Sequence, residues 1–343
     1  MITTPSTLRS VGWVGIGLLN CVLLLAVVPR IHAADAAYSA GPEKEAPPDP
    51  KWLAEKAQLQ ALGEHYTTAW DLYQSFKDKA HGGTRLVPAT VPDWSGIYYR
   101  HGSIFRYDID RESDYGPVIA PLRPEWLAKV NKRLALYHRG VEFDSQLSNC
   151  LPAGMPRWFT EPYLREFVVT PNQTWMMNEL ANETRRIYTD GRDHPNKEDR
   201  YPMFDGDSIG FWDGDKLVVH TDELIAGQYQ RSEPDHTADA EVVEVWHKVD
   251  DQTLRADVWV YDPKVLRVPW YTRQVYDKQP NQDNALRIRY YDCVGTPNTQ
   301  VKKTKDGSST FVDLDFDKAR PNDPYASPTP DTSTSNPRSG QPK

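Results

Sequence analysis

The sequence contains little cysteine and no excess of positive charge. Its 343 residues include three cysteines, and 40 Lys and Arg residues stand against 48 Asp and Glu residues, giving a formal net charge of -8. Such a chain lacks the broad positive field that attracts nucleic acid. We therefore predict no nucleic-acid partner. The predicted partner is a small-molecule ligand or substrate, for the reasons given with the tryptophans below, and the sequence indicates nothing about oligomeric state.

Long apolar runs are also scarce, and the clearest one lies at the N-terminus. It covers residues 11–28, follows Arg9 and ends at Pro29, with small residues just beyond it. This order is typical of a secretory signal peptide, which we place at residues 1–34. An uncleaved anchor helix is the alternative, because about 18 apolar residues are close to the minimum for a membrane span. Cleavage predicts a periplasmic or secreted bacterial protein with no stable membrane span.

The few cysteines limit the redox chemistry. Cys21 would leave with the signal peptide, so that Cys150 and Cys293 remain in an oxidising compartment. We predict a disulfide between them. Two buried thiols or a catalytic cysteine are the alternatives, and no motif supports the catalytic one.

Composition divides the rest of the chain. Residues 35–88 are interpreted as a linker followed by one amphipathic helix, which starts at Asp49-Pro50 and ends at Gly82-Gly83. Its apolar residues recur at helical spacing and predict a face that docks on the following domain. That domain covers residues 89–317 and includes a helix at 124–139. Residues 318–343 are poor in apolar side chains and predict a disordered tail.

From Arg165 onward the pattern is that of β-strands joined by tight turns. Asp213-Gly214 lies between two apolar segments and is a strong hairpin signal, and Asp250-Asp251-Gln252 forms another turn. Residues 271–276 and 286–291 add two predicted strands. We predict a mainly β fold, an antiparallel meander closed or partly open as a barrel, with N-terminal helices.

Two paired segments predict which side chains face the core. Residues 242–249 present valines on one side and Glu244 and Trp246 on the other, and residues 253–261 separate a purely apolar side from a mixed one that includes Trp259. We expect the apolar sides to face the core and the mixed sides to face solvent. A wet cavity lined by the mixed sides is the alternative.

Several segments together resemble an uncharacterised family of exported bacterial proteins. They are PDWSG at 92–96, CLPAGMPR at 150–157, RRIYTDGR at 185–192 before His194-Pro195, GDSIG at 206–210, WDGD at 212–215 before LVV, and Asp262-Pro263 before Pro269-Trp270. The resemblance covers about residues 90–295 and implies a lipocalin-like β content. It does not indicate any particular activity. The chain differs from the family at His220, where an Asp is usual, and after Cys293.

The densest polar cluster contains Arg186, Asp190, Arg192 and His194. Arginines bind carboxylates or phosphates, and histidine acts as an acid, a base or a metal ligand. The alternative is a structural turn at Asp190-Gly191.

A second set, His194, His220, His236 and Glu244, predicts a possible divalent-metal site, although the spacing matches no known metal motif and no cofactor is evident. The sequence around Asp207-Ser208 lacks the strand-to-helix context of a serine nucleophile. We interpret it as a tight bend.

Tryptophans complete the predicted site. We expect Trp212, Trp246 and Trp259 to line a cavity with Arg186 and Arg192, where His194, His236, Asp190 and Glu244 perform acid–base chemistry on a small hydrophobic or aromatic molecule. The alternatives are a non-catalytic barrel that binds such a molecule and a structural envelope protein.

Overall fold

A computed structural model describes residues 50–101, 120–138, 150–229, 234–280, 287–291, 301–303 and 309–311. Its α-helices are α1 (Pro50–His65), α2 (Ala69–Lys79) and α3 (Pro124–His138). The strands are β1 (Ile97–Arg100), β2 (Arg165–Val169), β3 (Gln173–Asn178), β4 (Glu183–Tyr188), β5 (Asp207–Asp213), β6 (Lys216–Asp222), β7 (Gly227–Gln228), β8 (Asp235–His236), β9 (Glu241–Lys248), β10 (Thr253–Tyr261), β11 (Trp270–Lys278), β12 (Val301–Lys303) and β13 (Ser309–Phe311). Short 3₁₀ turns cover Pro88–Thr90, Arg157–Phe159, Leu180–Asn182 and Lys197–Asp199.

Nine strands close into a barrel in the order β1-β11-β10-β9-β6-β5-β4-β3-β2. This confirms the predicted mainly β barrel with N-terminal helices. The prediction of a purely antiparallel sheet is wrong at one place, because β4 and β5 pair in parallel at Tyr188 and Ile209. A parallel neighbour cannot be reached by a tight turn, so residues 189–206 form a long crossover between these two strands.

The predicted hairpins are present. Asp213 pairs with Lys216 across a two-residue turn, and Gly214 there has a φ of +62°, which favours glycine. The turn at residues 250–252 joins β9 to β10. Strand β6 pairs next with β9, so the segment between them, which carries β7 and β8, leaves the barrel wall.

The two faces of the wall bury different clusters. Inside the barrel, Trp94, Phe167, Trp212, Trp246 and Tyr276 pack together with the apolar side of β10. Outside, a second cluster joins strands β5, β6, β9, β10 and β11 to helices α1 and α2. Side chains alternate along these strands, so the barrel interior buries one face and the helices bury the other.

This arrangement corrects one of the predicted faces. On β10 the purely apolar side does face the interior, as expected. On β9 the interior side is the mixed one, with Glu244 and Trp246, while Val243 and Val245 point outward beneath the helices. Trp259 also points outward, yet it is 1% exposed because helices cover it. Neither mixed side faces solvent.

The N-terminal helical segment docks on the barrel through its predicted apolar face. The prediction of one continuous helix is wrong, because the first helix ends at His65 and a second begins at Ala69. Thr68 caps the second helix by accepting a hydrogen bond from the backbone N–H of Asp71 at 3.1 Å. The barrel itself binds the end of α1, since Tyr261 donates its hydroxyl hydrogen to the Gly63 carbonyl at 2.8 Å.

Gly63 is the point of closest approach between α1 and the barrel. A Cβ atom at this position would lie 2.5 Å from the Trp259 ring. The same helix also holds that ring, because its indole N–H donates to the Leu59 carbonyl, one turn before Gly63, at 2.8 Å. The glycine therefore permits the helix to lie directly on the indole.

Other predictions have mixed outcomes. Helix α3 confirms the predicted helix at 124–139, whereas residues 287–291 form no strand, contrary to prediction. The predicted signal peptide at 1–34, most of the predicted linker and the predicted tail at 318–343 lie outside the described residues. Within the described ranges, no helix combines the length and apolarity that a membrane span requires.

Replacing Gly63 with alanine tests the contact between α1 and the barrel. Helix propensity alone would raise the free energy of unfolding by about 1 kcal/mol. Because the added methyl group overlaps the indole, we instead expect the free energy of unfolding, measured by urea titration, to decrease by about 1–3 kcal/mol. Ala61→Gly, at an exposed position on the same helix, measures the propensity contribution separately. Increased stability of Gly63→Ala would contradict the close approach.

Candidate functional site

One end of the barrel gathers histidines and carboxylates on its outer face. Alternation along β6 places His220 and Asp222 outward, and Asp207 at the start of β5 pairs with Asp222. Glu241 begins the neighbouring strand β9. The crossover between β4 and β5 then carries His194 onto this face. We call these five residues, His194, His220, Asp207, Asp222 and Glu241, the histidine cluster.

Four members form a continuous chain of contacts. Asp207 contacts Nδ1 of His194, and Nε2 of His194 lies 2.8 Å from Nδ1 of His220. Nε2 of His220 lies 3.2 Å from a carboxylate oxygen of Glu241. Both ring nitrogens of each histidine are thus engaged.

An imidazole ring can donate a hydrogen bond through one nitrogen and accept one through the other, and a carboxylate accepts hydrogen bonds. The chain therefore connects two carboxylates, Asp207 and Glu241, through two rings that can pass a proton from one nitrogen to the other.

Asp222 lies beside this chain and is anchored by one oxygen. Its Oδ2 atom accepts a hydrogen bond from Arg200 of the crossover. Its Oδ1 atom is buried, has no hydrogen-bond partner among the described residues and lies 3.6 Å from Nδ1 of His194. A buried carboxylate oxygen in this condition can accept a further polar ligand.

Helix α2 covers the two imidazoles. The Trp70 ring lies 5.9 Å from the His194 ring and 5.2 Å from the His220 ring, and Tyr73 packs against His220 at 5.6 Å. The His220 side chain is 2% exposed and the His194 side chain is 8% exposed. The aromatic cover leaves Glu241, whose side chain is 38% exposed, as the more accessible end of the chain.

A pocket of about 620 Å³ opens next to this end. Its wall includes Asp222, Glu241 and Arg200 of the region just described. The remaining lining combines charged residues with apolar ones, namely Thr67, Thr68, Ala69, Arg123, Lys197, Pro202, Glu223, Ala238, Asp239, Ala240, Tyr261, Asp262, Pro263, Leu266, Arg267, Val268 and Pro269. This volume is within the range of small-molecule sites.

The predicted arginine cluster lies elsewhere on the outer surface. Arg192 makes a two-pronged ion pair with Asp190, and that hydrogen bond lowers the pKa of Asp190. Arg186 lies over the Trp175 ring at 4.9 Å, and Arg192 lies over the Tyr188 ring at 4.1 Å. A carboxylate of lowered pKa is a weak base, so the geometry supports the turn interpretation for Asp190 and Arg192.

Glu244, Trp212 and Trp246 face the barrel interior. Arg185 donates to both oxygens of Glu244, at 2.5 and 2.9 Å, and Trp246 donates its indole N–H to Glu244 at 2.7 Å. Arg185 also donates to Thr221 at 2.7 Å. Glu244 is therefore fully engaged in a buried structural ion pair, on the opposite face of the wall from His194.

His236 and Trp259 occupy two further environments. His236 is 3% exposed and packs against Tyr229 at 5.4 Å, and burial lowers its pKa. Trp259 lies beneath α1. The predicted grouping of His194 with His236, Asp190 and Glu244 is therefore not assembled, and of the predicted metal set His194 and His220 come together.

A buried acid pair lies below the crossover. Glu183 accepts hydrogen bonds from the Gly154 backbone N–H at 2.6 Å and from Asn178 at 3.1 Å. Burial raises the pKa of Glu183 well above its ordinary value of 4.5, and the adjacent carboxylate of Asp205 raises it further. Burial also raises the pKa of Asp205.

The sequence interpretation missed several residues of the site. Asp222, Glu241 and Arg200 were not identified, and Asp207 was interpreted as part of a bend. A signal was available for Asp222, since period-two alternation after the Asp213-Gly214 turn puts it on the same face as His220. The predicted disulfide remains a prediction, because Cys293 lies outside the described residues.

The chain matches no protein-family model, and no curated protein matches it. The resemblance to an uncharacterised exported family therefore remains a prediction.

Breaking the interior ion pair tests its structural role. We expect Glu244→Gln to lower the free energy of unfolding by about 3–5 kcal/mol, because Arg185 is left buried without a counter-charge. The double variant Arg185→Met with Glu244→Leu should recover most of that loss. Asp190→Asn, which breaks the exposed pair with Arg192, should cost no more than about 1 kcal/mol. Equal losses for the two single variants would contradict the assignment.

The acid pair predicts a pH dependence of stability. Because the folded chain holds the Glu183 proton to a higher pH than the unfolded chain, this group's contribution is complete below pH 4.5 and declines as the pH rises above it. Glu183→Gln should flatten the dependence of the unfolding free energy on pH above 4.5, measured by urea titration. Glu198→Gln, at an exposed position, should leave the slope unchanged.

Proposed function

We propose that this protein is an enzyme that performs acid–base chemistry on a small, partly hydrophobic molecule in the pocket beside the histidine cluster. The observation that carries the proposal is the chain Asp207–His194–His220–Glu241, whose last member lines the pocket. Titratable groups within hydrogen-bond reach at a pocket wall are the arrangement that general acid–base catalysis uses.

Glu241 is the catalytic residue of this proposal. In the acid step, its carboxyl group donates a proton to a ligand atom in the pocket, and in the reverse step its carboxylate accepts one. His220 then returns a proton to the carboxylate or takes one from it, supported by His194 and Asp207. His220 and His194 act as positioning residues, because they reach the ligand only through Glu241.

The pocket wall supports the substrate class. Tyr261, Leu266 and Val268 provide apolar surface for a hydrophobic or aromatic body. Arg123 and Arg267 line the same pocket and can bind an anionic substituent, the role that the sequence assigned to Arg186 and Arg192. We therefore propose small aromatic or aliphatic carboxylates as the first compounds to test.

The test begins with a thermal-shift screen of the full chain against such carboxylates, followed by turnover assays on those that bind. Glu241→Gln should retain binding and lower kcat/KM by about 10²- to 10⁴-fold, because it cannot transfer the proton. Glu166→Gln, an outward carboxylate of β2 outside the pocket lining, should keep the wild-type rate.

Unchanged turnover in Glu241→Gln would contradict the proposal. Binding without turnover of any bound compound would instead support the alternative of a non-catalytic binding barrel. Absence of both binding and turnover would favour the structural alternative.

A further inference from the structure

The inner nitrogens of the two clustered histidines face each other at 2.8 Å. Together with Asp222, each residue offers one ligand atom, and these three atoms lie within 4.8 Å of one another. Two imidazoles and one carboxylate are a donor set that binds zinc and related ions and leaves coordination positions open. We propose that His194, His220 and Asp222 form a binding site for a divalent transition-metal ion of the zinc type.

The outer nitrogens of the two rings support this assignment. Nδ1 of His194 contacts Asp207, and Nε2 of His220 lies 3.2 Å from Glu241. A histidine that binds a metal through one nitrogen usually has its other nitrogen held by a carboxylate, which fixes the tautomer and the ring orientation. Here both rings have that support, and their inner nitrogens face each other.

Asp222 is prepared as the third ligand. Arg200 occupies its Oδ2 atom, so the carboxylate orientation is fixed, while within the described part of the chain the buried Oδ1 atom has no hydrogen-bond partner. An unsatisfied buried carboxylate oxygen is costly in a fold that offers it no further ligand. A bound cation would satisfy it.

The inner histidine nitrogens already lie near the separation that a metal requires. A tetrahedral zinc site with metal–nitrogen distances of about 2.0–2.1 Å separates two ligand nitrogens by about 3.3 Å. The two nitrogens would therefore move apart by about half an ångström from their present 2.8 Å, the rings would turn so that both nitrogens face the ion, and the Asp222 carboxylate would approach it.

The local charge and packing also suit a cation. Asp207, Asp222 and Glu241 supply three carboxylates around the rings, against one guanidinium from Arg200. Trp70 and Tyr73 shield the imidazoles on the helix side, which limits their movement. The inference does not depend on the proposed catalysis, because metal binding requires no substrate.

The experiment is a zinc titration of the chelator-treated and dialysed full chain in competition with a chromophoric chelator. We expect one Zn²⁺ per chain, and Co²⁺ in its place should give visible absorption bands of a low-coordinate site. His194→Ala and His220→Ala should each weaken Zn²⁺ binding by more than about 100-fold, since they remove a ligand. Asp207→Asn, which removes only the support of a ligand, should weaken it by about 10- to 100-fold.

Asp222→Asn keeps the side-chain shape, so it tests the loss of a ligand even if the alanine variants fail to fold. It should weaken Zn²⁺ binding with an unchanged circular dichroism spectrum, whereas His65→Ala, an exposed histidine at the end of α1, should bind as wild type. Substoichiometric binding by wild type, or equal affinity in wild type and the His194 and His220 variants, would overturn the inference. Since no substrate is present, these outcomes are independent of the turnover result for Glu241→Gln.

Discussion

The packing of helix α2 against the outer face of β5, β6 and β9 is the interaction on which the site depends. Strands of a barrel normally bury one side and expose the other. Here Leu72 and Tyr73 of the helix close off the outer side as well, so that outward polar residues such as His220 become buried. Once buried they must be satisfied by neighbours, and the neighbours are the other members of the histidine cluster.

The same wall separates two kinds of polar network. In the interior network the charges of Arg185 and Glu244 are paired with each other, and tryptophans surround them. The outer network contains an oxygen of Asp222 with no hydrogen-bond partner among the described residues and an exposed carboxylate at Glu241. Unused hydrogen-bonding capacity next to a pocket distinguishes a site from a structural ion pair.

Much of the barrel could be predicted from the sequence, because alternation and the Asp213-Gly214 turn are local signals. The site could be predicted only in part. His194 and His220 were recognised by residue type, but their partners come from segments up to 47 positions apart, from His194 to Glu241, and no spacing rule connects them. Glu244 was predicted to face solvent, but it faces the interior. Both faces of its strand carry side chains that can be buried, and the helices cover the valine face from outside.

The parallel pairing of β4 with β5 has an evolutionary consequence. It inserts an 18-residue connection, residues 189–206, whose length the barrel does not dictate, and this connection supplies both His194 and Arg200. Insertions or replacements in this connection would change the residues next to the histidine cluster while the register of every strand is preserved. The site thus combines residues that the strands hold in register, such as His220 and Asp222, with residues of the connection, whose exposed part around His194 and Arg200 can change without altering the strand pairing.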